Sequence, residues 1–459
     1  MLSPLKVDIV VIGAGTAGLT AFAEVARVRK SVLLIDHGPL GTTCARVGCM
    51  PSKAALHAGQ EWAFHRAMAT LAGQELNSRV APPALWSRVR AMRDRLTAGA
   101  AEHARKVAGE RLLEGTARFT GPRSLVVDGR PIEADAFVVA TGSRPIVPEA
   151  FASLGAHLIT TDSLFDLDAL PRRIGIVGVG GIGVEMGLAL ARLGVTVVAA
   201  DSGRVVAGAS DPQINNRAVR RFAHEMTLWL GEKVEAQALE DSIVFRAGAH
   251  ATNVDAVMVA VGRSPNVEEL ELARAEVAHG AHGKVTFDIG TMHCPGSRVM
   301  LAGDVAGDRP FQHEAVAEGR AAARSALCLL NGQVPVAEPR SVPLSIVFSA
   351  PDIASVGARF DHLDPISVIV GNAEGSGNGR SRILDAEDNL VRVYAERENG
   401  RLLGASLIAI GGEHLAQLLA WAIQRGETAR ELLALPFYHP TVEEMLQTAL
   451  KDIEDQRAQ

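Results

Sequence analysis

The chain has 459 residues, 47% hydrophobic and 21% charged, with 45 glycines, 2 tyrosines and a formal net charge of −6. At the usual ~150 residues per domain that length allows about three domains, and the composition is that of a soluble, Ala/Gly-rich α/β protein. The mild acidity offers no basic face to nucleic acid, no run of ~18 apolar residues marks a membrane span, and 4 cysteines are too few for a disulfide-stapled secreted scaffold.

The first pattern is an apolar strand, Val7-Asp8-Ile9-Val10-Val11-Ile12, reached from Lys6 with no signal-peptide pattern, so a cytoplasmic location is expected. It runs into Gly13-Ala14-Gly15-Thr16-Ala17-Gly18, a helical pattern to about Lys30, and a second strand, Val32-Leu33-Leu34-Ile35, closed by Asp36. Such a turn removes side chains where backbone must approach a pyrophosphate, and the helix N-terminus offers free N–H groups and partial positive charge. A tight strand-to-helix turn asks for glycine on conformational grounds alone, so a single copy is weak.

Next comes Thr43-Cys44-Ala45-Arg46-Val47-Gly48-Cys49-Met50-Pro51-Ser52-Lys53. Extended, the cysteines would span ~16 Å, whereas a disulfide needs Cα atoms about 4.4–6.8 Å apart, so a bridge requires this segment to coil. Pro51 favours a helix's first turn and predicts Cys49 near a helix N-terminus, where a thiolate is stabilised. Two buried thiols, a metal half-site and a structural staple are the alternatives. Zinc would want two further ligands, and stapling so short a loop gains little chain entropy, so a redox pair is favoured. The stretch from Arg88 to Arg111, interspersed with Asp94, Glu102 and Glu110, predicts a solvated helix face.

Arg173 to Asp201 repeats the opening pattern: strand Ile174 to Val177, then Gly178-Val179-Gly180-Gly181-Ile182-Gly183, a helix to about Leu193, and strand Val195-Thr196-Val197-Val198. Each unit closes on an apolar strand running to a glycine, Asp135 to Gly142 and Asp255 to Gly262. Two copies in matched context predict two nested dinucleotide-binding domains, about 1–145 and 146–270. Val299 to Asp304 is a short strand ending in an acid that is placed to hold a ligand, although a helix cap is the commoner role. A helix-like stretch follows from Phe311 to Leu330. Residues 271–340 form a central segment, and 341–459 read as strands with a late helix. Cys294 and Cys328 read as ordinary buried residues, and no metal is expected. His439-Pro440-Thr441-Val442-Glu443-Glu444 alone reads as a turn with a surface histidine before an acidic first turn of a helix, Met445 to Lys451.

Together Gly13 to Gly18, Thr43 to Lys53, Ala140-Thr141-Gly142, Gly178 to Glu185, Gly262 to Asn266, Gly303-Asp304 and His439 to Glu444 resemble, in order and spacing over essentially the whole chain, the pyridine-nucleotide disulfide oxidoreductase family, and within it the dihydrolipoamide dehydrogenases. The resemblance implies an α/β fold with two nested Rossmann-like dinucleotide-binding domains and a C-terminal α+β dimerisation domain, 271–340 completing the FAD domain. It implies FAD held by Gly13, Gly15, Gly18, Asp36, Thr43, Lys53, Gly115, Ala117, Thr141, Gly142 and Asp304. It implies a nicotinamide dinucleotide held by Gly178, Gly180, Gly183, Glu185, Asp201 and Gly262, with NAD expected and NADP the alternative. Cys44 is implied as the interchange thiol, Cys49 as the flavin-facing thiol, and Lys53 as the partner of Glu185 near flavin N5. His439 oriented by Glu444 is implied as the acid–base pair, supplied by the other subunit of a homodimer that shares its active site. The implied partner is a separate lipoylated carrier protein.

Several positions depart from the family. Gly41-Thr42-Thr43-Cys44 stands where Gly-Gly-Thr-Cys is usual, and Ala45-Arg46 where Leu-Asn is common. Gly181 replaces a bulky residue, Ala199 stands where NAD-using relatives are expected to carry Glu, and Tyr438 replaces a small one. The competing readings are a glutathione-reductase-like NAD(P)H-dependent disulfide reductase, which would want a basic pair after the second nucleotide strand, and a non-catalytic flavoprotein module.

Overall fold

The computed structural model describes residues 3–459 except 75, 77, 241 and 281–283. Leu5–Ile12 pairs in parallel with Val32–Asp36 on one edge and Arg130–Val139 on the other. Ile9, Val10 and Val11 are fully buried, as in a parallel strand covered on both faces. Ser124–Val127 and Val299–Leu301 share the far edge of Arg130–Val139, so the late segment returns to the first sheet. Leu112–Glu114 and Ala117–Gly121 complete its seven strands.

The second unit is a five-stranded sheet in the order Thr227–Leu230, Thr196–Asp201, Arg173–Val177, Ala256–Val259, Leu158–Ile159, all parallel. Ser143–Pro145 pairs with Arg263–Pro265, lacing together the closing turns of the two units. The helix Thr16–Arg27 packs on Gln312–Leu330, and Cys49–Leu71 packs on Gly181–Arg192. That second contact brings the cysteine helix of one unit onto the glycine-turn helix of the other.

The C-terminal part is a five-stranded antiparallel sheet, Leu344–Val347, Asp352–Gly357, Leu402–Ala409, Leu390–Glu396, Val368–Glu374, packed against Gly412–Arg425 and Glu444–Arg457. The last helix runs six residues past the expected Lys451. The fully buried Asp211 docks this sheet on the second unit. It caps the helix Pro212–Ala223 through Gln213 N–H (2.9 Å) and accepts from Arg392 Nε (2.6 Å) and the Tyr394 hydroxyl (2.8 Å). A buried carboxylate is tolerable only when so fully partnered.

The arginine-rich stretch is the helix Pro83–Ala108, with Trp86, Val89, Ala101, Ala104 and Ala108 inward and Arg90 and Arg93 paired to Asp168 and Asp166. Among the described residues no helix is long and apolar enough to cross a membrane. Cys294 is buried as expected, but Cys328 is only half-buried and lines a surface cleft of about 320 Å³, because it lies near the C-terminal end of its helix.

Candidate active site

The two glycine turns are built alike, and their glycines divide into two kinds. Gly13 has φ +107°, and a Cβ there would lie 2.2 Å from Ala140 O, while one on Gly18 would lie 1.8 Å from Gly13 O. The same holds for Gly178 (φ +99°, 2.6 Å from Ala260 O) and Gly183 (1.9 Å from Gly178 O). These four are required by the fold itself. Gly15 and Gly180 have no heavy atom within 4 Å of such a Cβ, so no packing demands glycine there. A backbone laid bare toward open space at the start of a helix fits a pyrophosphate.

Each turn is buttressed by the acid ending its second strand. The Asp36 carboxylate accepts from Ala14 N–H (2.7 Å) and Gly38 N–H (2.7 Å), and the Asp201 carboxylate accepts from Val179 N–H (2.9 Å) and Gly203 N–H (2.7 Å). This corrects the expectation about Ala199. That residue is a fully buried mid-strand position, and Asp201 holds the strand-end place equivalent to Asp36.

The other expected FAD positions gather around the first turn, while Gly262 follows the strand that closes on the second. Gly115 N–H bonds Asp36 O (2.9 Å), beside Ala117. Thr43 Oγ1 lies 4.0 Å from where a Cβ on Gly142 would be, and Thr141 Oγ1 donates to Asn266 O (2.6 Å) across to the second unit. Ile146 N–H bonds Gly262 O (3.0 Å). Asp304 accepts from Ser143 Oγ (2.9 Å), which in turn accepts from Arg263 Nε (2.9 Å). Neither Ser143 nor Arg263 was expected to orient Asp304, since the link depends on two turns meeting across the units.

Cys44 lies in a single helical turn, Thr43–Arg46, and Cys49 is the first residue of Cys49–Leu71 behind the Gly48 cap. Both are free thiols, and Cys44 stands in the turn just before the helix that Cys49 opens. The donor from Cys44, reinforced by the Lys53 charge, pulls the Cys49 thiol down to about 6. The same contact and burial push the Cys44 thiol far above the usual thiol range. The two shifts run in opposite directions, which favours the negative charge on Cys49 and the proton on Cys44.

Thr42, preceding this turn, sits at φ +58°, ψ 146°, a region that resists a β-branched residue. Its hydroxyl accepts from Ala45 N–H at 3.1 Å. The backbone cost is about 1–3 kcal/mol, against a few tenths for losing the cap to glycine and about 0.5–1 kcal/mol for glycine's entropy. Thr42→Gly should therefore raise the melting temperature of the holoprotein by about 1–2 °C. A fall in thermal melting would show that the cap outweighs the strain.

Lys53 Nζ lies 2.9 and 2.8 Å from the two carboxylate oxygens of Glu185, an ion pair between the two units. Glu185 is buried and takes a third bond from the backbone N–H of Phe348 (3.1 Å), whose ring centroid is 4.5 Å from Lys53 Nζ. His439 is exposed, its Nδ1 3.0 and 3.2 Å from the Glu444 carboxylate. Glu444 is held below the usual carboxylate range by the Thr441 amide first and by His439 second. This pair lies on the C-terminal domain.

The family described as pyridine nucleotide-disulphide oxidoreductase matches residues 7–319, and its dimerisation domain matches residues 343–450. A dihydrolipoyl dehydrogenase of Vibrio parahaemolyticus is 28% identical over 469 aligned residues, covering 99% of this chain and 97% of the relative. One of Bacillus subtilis is 27% identical over 468, covering 97% and 96%. The HOCl-induced flavoprotein disulfide reductase RclA of Escherichia coli, solved as a copper(II) complex, superposes with a TM-score of 0.83 at 22% identity, covering 97% of this chain and 99% of that one, a likeness of fold. The chain therefore belongs to the pyridine nucleotide-disulphide oxidoreductase family, as a flavoprotein oxidoreductase that uses FAD and a pyridine nucleotide and carries the family's dimerisation domain.

Proposed function

We propose that the chain is a dihydrolipoamide dehydrogenase, reoxidising the dihydrolipoamide of a separate lipoylated carrier protein through a reversible Cys44–Cys49 disulfide, with NAD⁺ as final acceptor. The observation that carries this reading is the cysteine pair at a helix N-terminus, beside the Lys53–Glu185 bridge between two dinucleotide cradles. The full-length relatives named dihydrolipoyl dehydrogenase support the substrate.

FAD, when bound, supplies the two-electron exchange between dithiol and nicotinamide that no side chain provides. The chain's own residues handle the sulfur and the protons. A substrate thiolate attacks Cys44 of the oxidised pair, the Cys44–Cys49 bond breaks, and Cys49 leaves as the stabilised thiolate. The second substrate thiol then displaces Cys44 and closes the substrate disulfide. The substrate has lost two electrons and two protons. The cysteine pair holds both electrons, Cys44 keeps one proton, and Nε2 of the partner subunit's His439 takes the other. With Nδ1 turned to Glu444, that ring nitrogen is the free acceptor.

The Asp201 carboxylate occupies the strand end where a ribose hydroxyl is accepted and a 2′-phosphate repelled, which selects NAD. The deciding measurement sets dihydrolipoamide with NAD⁺ against glutathione disulfide with NADPH in steady state. The first pair is expected to win, with kcat/KM for NADH at least about a hundredfold above NADPH, since opposed like charges cost several kcal/mol. Preference for the second pair would replace this reading with the glutathione-reductase-like one.

A further inference from the structure

The segment joining the strand Leu344–Val347 to Asp352–Gly357 is gripped along one helix of the other domain. Glu185 accepts from Phe348 N–H at 3.1 Å. Two turns further along, the buried Arg192 donates to Ser349 O (2.6 Å) and Ala350 O (3.1 Å), its Nε held by Glu225 at 2.7 Å. At the helix start, a Cβ on Gly181 would meet Val347 Cγ2 at 3.1 Å. The missing side chain at 181 thus leaves room for the C-terminal domain to press Val347 and Phe348 against the Lys53–Glu185 bridge.

Lys53 arrives on a flexible four-carbon stem, and its ammonium has room to swing toward a cleft of about 260 Å³ that it lines with His57, Gln60, Phe348, Asp352 and Glu413. Two of those lining groups are carboxylates that offer a competing partner. Three contacts oppose the swing: the two Glu185 oxygens and the ring face of Phe348, 4.5 Å from Nζ. A ring face attracts a cation without supplying a hydrogen-bond acceptor, so it fixes position without adding a charge at the bridge. The backbone N–H of the same residue orients the carboxylate.

We propose that Phe348, delivered by the C-terminal domain, is a positioning residue that locks the Lys53 ammonium onto Glu185 between the two cofactor cradles. This rests on the reading of Lys53–Glu185 as the bridge between those sites. It also makes the C-terminal domain part of the electron-transfer apparatus within a single chain, separately from any residue it lends across a dimer.

The test is a double-mutant cycle in the holoenzyme with Phe348→Leu and Lys53→Met. The two readouts are the pH midpoint of the long-wavelength absorbance that a Cys49 thiolate gives against bound FAD, and the rate of flavin reduction by NADH. Phe348→Leu should slow reduction about three- to thirtyfold, the scale of a partly desolvated cation–π contact, and raise the thiolate midpoint in the same direction as Lys53→Met. Phe348→Tyr, which keeps the ring, should restore both. In the Lys53→Met background, Phe348→Leu should change neither. A Phe348→Leu effect that persists there, or is absent in wild type, overturns the proposal. If Phe348→Leu fails to fold, Phe348→Met is read by the same criteria. A Lys53→Met enzyme with wild-type midpoint and reduction rate would instead remove the underlying bridge, and the proposal with it.

Discussion

Replacing Cys44 with serine will abolish dithiol–disulfide turnover, by about 10⁴-fold or more, while leaving FAD bound and Cys49 ionised. A serine oxygen forms no exchangeable bond to sulfur, so the mixed disulfide has no anchor. The hydroxyl still donates to Cys49, and that donor is the largest cause of the low Cys49 titration. Cys44→Ala removes the donor as well. The sign follows from the thiol's chemistry: the thiolate is the high-pH form, so its long-wavelength absorbance against bound FAD grows as pH rises. In Cys44→Ser the rise is centred near 6, and in Cys44→Ala it moves to higher pH. Lys53 still acts on Cys49 in both variants, so the alanine midpoint stays below an unperturbed thiol. Identical midpoints would show that the polarisation comes from elsewhere, and near-normal turnover in either variant would end the disulfide mechanism.

What the sequence discloses and withholds follows a physical line. The glycine turns, the strand–helix–strand rhythm and the cysteine helix were legible because each is a local constraint: missing side chains, unbroken apolar runs, a proline in a first turn. Lys53 and Glu185 are separated by 132 positions, and only the family resemblance paired them, since nothing local marks a lysine as facing a distant carboxylate. Asp201 was legible, because it follows Gly183 by the same interval that separates Asp36 from Gly18. Phe348 was not legible at all. Its contact with Glu185 is made by a backbone N–H, which every residue but proline carries, and its ring reaches Lys53 only because two domains dock. Thr42 was visible as a departure, whereas its positive φ was not, because threonine disguises a glycine-like backbone.

His439→Ala will lower dihydrolipoamide turnover by about 10²–10⁴-fold, the loss typical of a general acid–base group, with flavin reduction by NADH unchanged. The histidine is well placed for this role. Glu444, kept ionised by the Thr441 amide, accepts from Nδ1–H and leaves Nε2 free, and the side chain is exposed on the C-terminal domain. Among the described residues its side-chain hydrogen bonds run to Glu444, and under the proposed reading the cysteines it serves belong to the partner subunit. Co-expressing His439→Ala and Cys44→Ser chains separates the two possibilities. If the site is shared across a twofold axis, a heterodimer carries one site with both defects and one with neither, and random assembly restores about a quarter of the wild-type sites. If cysteines and histidine of one chain serve each other, every site carries a defect and the mixture stays as inactive as its parents. Recovery of turnover therefore places the acid–base pair in the partner, and its absence confines the chemistry to one subunit.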